Sequence, residues 1–114
     1  MNALEQGISQ FNAHQFWHAH ESWEQLWLPA ANPHRQFLQG LIQLAAAYHH
    51  VQRGTFRGGV RLFDAALRRL EAFPPGYAGV DRADAVAAAA EHRQRIARDE
   101  RIDTKDFPKL RYNS

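Results

Sequence analysis

His20 and Glu24 stand one helical turn apart in the segment Phe16–Trp27, FWHAHESWEQLW, which also holds all three tryptophans of the chain. On a helix, residues three and four apart share a face. The stripe Trp17, His20, Glu24, Trp27 then sets an imidazole and a carboxylate between two indoles, and the stripe beside it, Phe16, Ala19, Trp23, Leu26, makes a core seam. Bulky aromatics seek burial, so the pair is expected to lie at least partly out of water. A charged group there must be paired, hydrogen-bonded or bound to a metal.

Two chemistries follow. A neutral imidazole and a carboxylate suit a divalent metal such as zinc, iron or manganese. A carboxylate beside a histidine also suits proton transfer, with Glu24 or Glu21 as general base and His20 as ligand or acid. Two donors do not complete a metal site. The third would come from Glu21, His50, His49 or His14. Glu21 points about 100° away from His20 on a helix, which leaves His50 as the better choice. The run His-Glu-x-x-Glu is not the zincin His-Glu-x-x-His, because Glu24 stands where the second histidine belongs.

These side chains need helices to hold them, and the periodicity supplies five. Asn2 followed by Glu5 marks a capped start, and Leu4, Ile8 and Phe11 follow at helical spacing. The aromatic helix ends before Pro29. Asn32-Pro33 opens a third helix that runs to Arg53, with Asn32 as cap. Its face Phe37, Leu41, Leu44, Tyr48, Val51 is apolar, whereas Gln39, Gln43, Ala46, His50 is polar yet uncharged. A solvated helix face usually carries charges, so this row is expected to meet the His20–Glu24 stripe. The result would be a sealed polar cluster of His20, Glu24, Gln43 and His50 flanked by Trp17 and Trp27. In that cluster Trp17, Trp27, Gln39 and Gln43 are candidate ligand- or cofactor-binding residues, and His20, Glu24 and His50 candidate metal ligands.

Gly54 is expected to end the third helix and Thr55 to cap a fourth, whose core face is Val60, Phe63, Leu67, Leu70 and whose solvated face is Arg57, Arg61, Asp64, Arg68, Glu71. Gly58-Gly59 suits close approach by a neighbouring helix. Pro74-Pro75-Gly76 ends the fourth helix. Asp81 is expected to cap an alanine-rich fifth helix reaching Ile102, with Ala83, Val86, Ala87, Ala90 and Ile96/Ala97 inward. No strand periodicity is visible. His18 and His34 read as exposed, His14 as capping a turn, and His92 as solvated among arginines. A shift of forty residues aligns Phe16 with Phe56, Ala19 with Gly59, Trp23 with Phe63 and Trp27 with Leu67. That weak repeat predicts a compact all-α bundle of antiparallel helical hairpins, faintly tetratricopeptide-like. Residues 1–102 form one helical domain, and 103–114 an extended tail that Phe107, Leu110 and Tyr112 could dock on the body or on a second subunit.

His20 to Trp27 fits the pattern His-x-x-x-Glu-x-x-Trp. With Gln39-Gly40 and the segment QGLIQLAAAYHHVQRG that they open, the chain resembles the domain of unknown function family 309 of bacteria and archaea, over roughly residues 4 to 70. The resemblance implies a small all-helical protein with no assigned biochemical role. It also implies a metal-binding suggestion for the motif, which falls by position on His20 and Glu24, with Trp27 as the aromatic. The chain does not depart from the motif.

Composition narrows the classes. The chain has no cysteine, which excludes disulfides, thiolate metal sites and cysteine nucleophiles. No signal peptide or membrane span is read, so a cytoplasmic location is expected. The formal charge is +2, with three acidic and one basic residue in 1–52 and nine acidic and thirteen basic in 53–114. Arg93, Arg95, Arg98 and Arg101 are interleaved with Glu91, Asp99 and Glu100, which favours a salt-laced surface over a nucleic-acid partner. A small-molecule partner, a protein partner or a homodimer remains open. The function expected is a metal- or small-ligand-binding pocket on His20 and Glu24. The alternative is a protein-interaction module in which a His–Glu hydrogen bond only fixes helix register.

Overall fold

Asn2 accepts a hydrogen bond from the Glu5 amide at 2.8 Å and so starts α1 (Ala3–Asn12) where its side chain dictates. The structure, a computed structural model, describes residues 1–113. Helix α2 spans Phe16–Trp27 and α3 spans His34–Arg53, one residue later than the Asn32 cap predicted, with Pro33 in the cap position. Gly54 closes α3 at φ 76°, a left-handed conformation that glycine adopts without a Cβ clash. Helix α4 (Phe56–Leu70) follows at once, and α5 (Ala83–Ala97) comes after the Pro74-Pro75-Gly76 break.

Each helix packs on its successor, α1 on α2, α2 on α3, α3 on α4 and α4 on α5. The chain is therefore an all-α bundle of two hairpins closed by a fifth helix. The forty-residue correspondence holds in packing: Trp23 and Phe63 are fully buried, and Ala19 and Gly59 beneath them are buried too. A Cβ at Gly59 would come within 3.0 Å of Ile96, the close approach that the glycine pair predicted.

The centre of the core is Tyr48. Its ring meets Phe11 of α1, Phe16 of α2, Phe63 of α4 and Phe107 of the tail, with centroids 5.9, 5.5, 4.9 and 5.6 Å away. Its hydroxyl shares a 2.7 Å hydrogen bond with His92 Nδ1 of α5. His92 is thus a buried core residue, not the solvated one expected. This bond also corrects the rotation of α5. Ala85, Ala89, His92 and Ile96 face inward, whereas Ala83, Ala87, Ala90 and Ala97 are exposed and Val86 is half-buried. Methyl groups on every face of an alanine-rich helix carry no phase information, so a single polar contact decides it.

Helix α5 also ends earlier than expected, at Ala97, because Asp99 turns left-handed (φ 59°). At its other end Arg82, not Asp81, occupies the cap position, while the Asp81 carboxylate still accepts from the Ala83 amide at 3.2 Å. Arg82 is buried and donates to the carbonyls of Leu70, Phe73 and Pro74. A cation on the orphan carbonyls at the end of α4 is favourable on both hydrogen-bonding and dipole grounds. His34, expected exposed, is half-buried and bonded to the Tyr77 hydroxyl at 3.0 Å.

The tail is docked. Phe107 and Leu110 are buried, and Asn12 brackets Leu110, accepting from its amide and donating to its carbonyl, both at 2.8 Å. Arg111–Tyr112 (β2) pairs antiparallel with Val80–Asp81 (β1), so a two-stranded ribbon exists where no strand was read. Two residues per strand are too few to show an alternation.

Two outcomes test this frame. Burial holds His92 below the ordinary histidine pKa of about 6.5. Its contribution is complete above that value and is lost as pH falls through it, because the unfolded chain then binds a proton the folded chain refuses. Urea unfolding should show stability declining from about pH 7 to about pH 5, with a shallower slope in the double variant Tyr48→Phe/His92→Leu. His49, also shifted down by burial, keeps that residual slope above zero. Separately, Asn12→Ala removes both tail bonds and should cost about 1–2 kcal/mol, with faster tryptic cleavage at Lys109.

Candidate functional site

The α2 helix presents His20 and Glu24 to α3 across a groove of about 230 Å³, lined also by Trp27, Gln39, Ile42, Gln43, Ala46 and Leu62. The facing of the glutamine row by the His–Glu stripe is therefore present. The groove is open, not sealed: the Glu24 side chain is 47% exposed, while that of His20 is 16% exposed.

The close approach of α4 shapes the far wall. A Cβ on Gly40 would lie 2.9 Å from Leu70 and 3.2 Å from the Arg69 Cβ, so only glycine lets the end of α4 come down on α3 at this point. Arg69 then reaches across, donating from Nε to Gln36 at 3.1 Å and from Nη1 to Gln43 at 3.2 Å. The Gln43 oxygen is occupied by that cation. At the near end Arg35 lies over the Trp27 ring, 3.8 Å from its centroid, and donates to the carbonyls of Trp27, Leu28 and Ala30. One arginine thus finishes α2 and pins the indole that borders the groove.

His20 is the unusual member. Its Nε2 lies 3.5 Å from Glu24 Oε2, longer than a good N–H···O hydrogen bond. Its Nδ1 is buried with no hydrogen-bond partner. The ring stacks on Trp17 with centroids 4.6 Å apart and planes at 10°. A largely buried imidazole therefore has neither nitrogen firmly bonded, and an unsatisfied buried polar atom costs about 1–3 kcal/mol. Trp17 covers His20 from outside and is itself 47% exposed, so it shields the pair without lining the groove.

His50 does not join the pair. Its Nδ1 is 2.7 Å from the Thr55 hydroxyl and its ring lies against Gly58, on the α4 side. His49, its neighbour, lies beside the Trp17 ring at 5.3 Å instead, and burial, followed by Arg53, His50 and His20, lowers its pKa. Glu21 points outward and pairs with His18 at 3.7 Å. His14, at φ 62°, forms the turn before α2 and stacks on Phe16. Among the described residues, no group of three His, Asp or Glu side chains could hold one ion. His20 and Glu24 together supply two donors, one short of the three protein ligands of a catalytic zinc. The donor set does not fit a resident metal.

Neither Arg69 nor Leu62 carries a site signal in the sequence, and each has a reason. Arg69 falls beside the Arg57–Arg61–Asp64–Arg68 stripe and looks solvated by sequence; only the packing at Gly40 turns it inward. Leu62 lies off the apolar face of α4 and borders the groove beside Ile42 and Ala46.

The model of the family Domain of unknown function (DUF309) matches residues 4–62, more than half of the 114 residues, and the chain belongs to that family. The match covers α1, α2, α3 and the first half of α4, which hold every groove-lining residue. No curated protein and no solved structure matches the chain.

If His20 carries an unmet polar cost, removing its nitrogens should relieve it. His20→Leu is expected to leave thermal stability unchanged or raise it by up to a few degrees, equivalent to about 1 kcal/mol. A calorimetric drop of many degrees would show instead that the imidazole holds the helices together.

Proposed function

We propose that the groove between α2 and α3 binds a small organic ligand that carries N–H donors on a flat or short apolar body. The single observation behind this reading is His20 Nε2, held no closer than 3.5 Å to a half-exposed carboxylate, in a recess whose other walls are amides and hydrocarbon. Nε2 is the ring nitrogen beside Glu24, 3.5 Å from its carboxylate, and a ligand atom at the mouth could accept or donate there while giving an N–H to Glu24. Gln39 offers an amide that can donate and accept. Ile42, Ala46 and Leu62 supply the apolar wall against which a ring or short chain would lie.

The same pair would permit proton exchange with a bound ligand, since a carboxylate and an imidazole at this separation can each hold a proton. Binding is the step that the geometry supports directly. A protein-docking surface draws less support. The large exposed apolar side chains are Met1, Trp17 and Leu28, and the latter two stand at opposite ends of α2.

The test is an amide-resonance titration with benzamidine and with adenine, two flat N–H-rich probes. Saturable shifts should centre on Glu24, Gln39 and Ile42, and Glu24→Ala should weaken the better probe about tenfold or more, the value of a charge-assisted hydrogen bond. Absence of saturable shifts with both probes, or equal binding by Glu24→Ala, would remove the proposal.

A further inference from the structure

A second cavity lies at the other end of the molecule, between the end of α3, the start of α4 and the chain after α5. It measures about 320 Å³ and is lined by Val51, Gln52, Arg53, Gly54, Phe56, Arg101, Ile102, Thr104 and Phe107. Two of the lining residues are arginines, Arg53 and Arg101, and none is acidic. We propose that this cavity binds an oxyanion, a phosphate group attached to a body that rests on the apolar floor.

Three independent features support this. First, Arg53 and Arg101 form no ion pair among the described residues, as is also true of Arg57, Arg61 and Arg68, but Arg53 and Arg101 are the two arginines that border the same cavity. The neighbouring acids are engaged elsewhere: Glu100 binds Arg95 and Arg98, and Asp103 accepts from the Lys105 amide. Unpaired arginines facing one recess are the donors that planar recognition of phosphate needs.

Second, the start of α4 is left open. Thr55 stands at its cap position, yet its hydroxyl bonds His50 Nδ1 and the His50 carbonyl and caps nothing in α4. Phe56, the first residue of that helix, lines the cavity, so α4 begins at its wall. A threonine diverted from capping leaves those first amides without a side-chain partner.

Third, the floor is hydrocarbon. Val51, Ile102 and Phe107 are buried in the core while bordering the cavity, and Phe56 is half-buried beside them. A bare anion would leave that surface wet, so an ester with an apolar or aromatic body is the better fit. The phosphate could belong to a free small molecule or to a single-stranded nucleic acid, whose chemistry at this point is the same.

The experiment titrates the whole protein with inorganic phosphate, phenyl phosphate and a short oligothymidylate, following amide resonances of Phe56, Arg57, Gly58 and Thr104 and arginine Nε resonances. Saturable shifts at these positions are expected, with Arg53→Gln and Arg101→Gln each weakening binding about tenfold and Arg68→Gln, on the exposed face of α4, leaving it unchanged. Circular dichroism of each variant checks that the fold persists. Tightest binding of phenyl phosphate supports a small ester. Tightest binding of the oligonucleotide, with a salt slope above that of phenyl phosphate, supports a nucleic-acid strand. No saturable shift with any probe, or equal loss in Arg68→Gln, overturns the proposal. The groove at His20 is untouched by these variants, so the two readings fail independently.

Discussion

One buried phenol ties this molecule together. Tyr48 sits in the middle of α3 and meets a ring from α1, α2, α4 and the tail, while its hydroxyl bonds a histidine on α5. A leucine there could fill much of the same volume, but it could not choose a rotation for an alanine helix. The 2.7 Å bond to His92 does so, because either partner left alone would be a desolvated polar group. Burial also raises the Tyr48 pKa and lowers that of His92, so both stay neutral and share one proton between them.

With that centre satisfied, polar groups left over elsewhere stand out. Arg82, Arg35 and Asn12 all resolve backbone groups that helix ends and the docked tail would otherwise strand: the end of α4, the end of α2 and the Leu110 peptide. His20 has no such service. Its nitrogens meet a carboxylate at 3.5 Å on one side and nothing on the other. Among the described residues, His20 Nδ1 is the buried side-chain nitrogen left without a partner, and its ring borders the groove. Natural folds break local rules mainly at functional positions.

The two recesses differ in kind. The groove at His20 has an acid, an imidazole and amides, and the cations at its two ends are engaged, Arg69 with Gln43 and Arg35 with the Trp27 ring. The cavity at Arg53 has free cations and no acid. The family match ends at residue 62, so it covers the groove entirely, while Arg101, Ile102, Thr104 and Phe107 lie beyond it.

Much of this was legible in order of residues. Helix number, the hairpin breaks at Gly54 and Pro74-Pro75-Gly76, the core seam of α2 and the meeting of Glu24 with Gln39 and Gln43 all follow from helical periodicity and from residues with restricted backbones. What tertiary structure alone decided was azimuth and long-range pairing. His49 and His50 differ by about 100° around α3, and packing put the former beside Trp17 and gave the latter to Thr55. The face of α5, the inward turn of Arg69 and the bracket of Asn12 on Leu110 depend on partners 26 to 98 residues away. Spacing along a chain records which residues share a helix face, but not which neighbour that face will meet, because that choice is made by the summed burial of every helix at once.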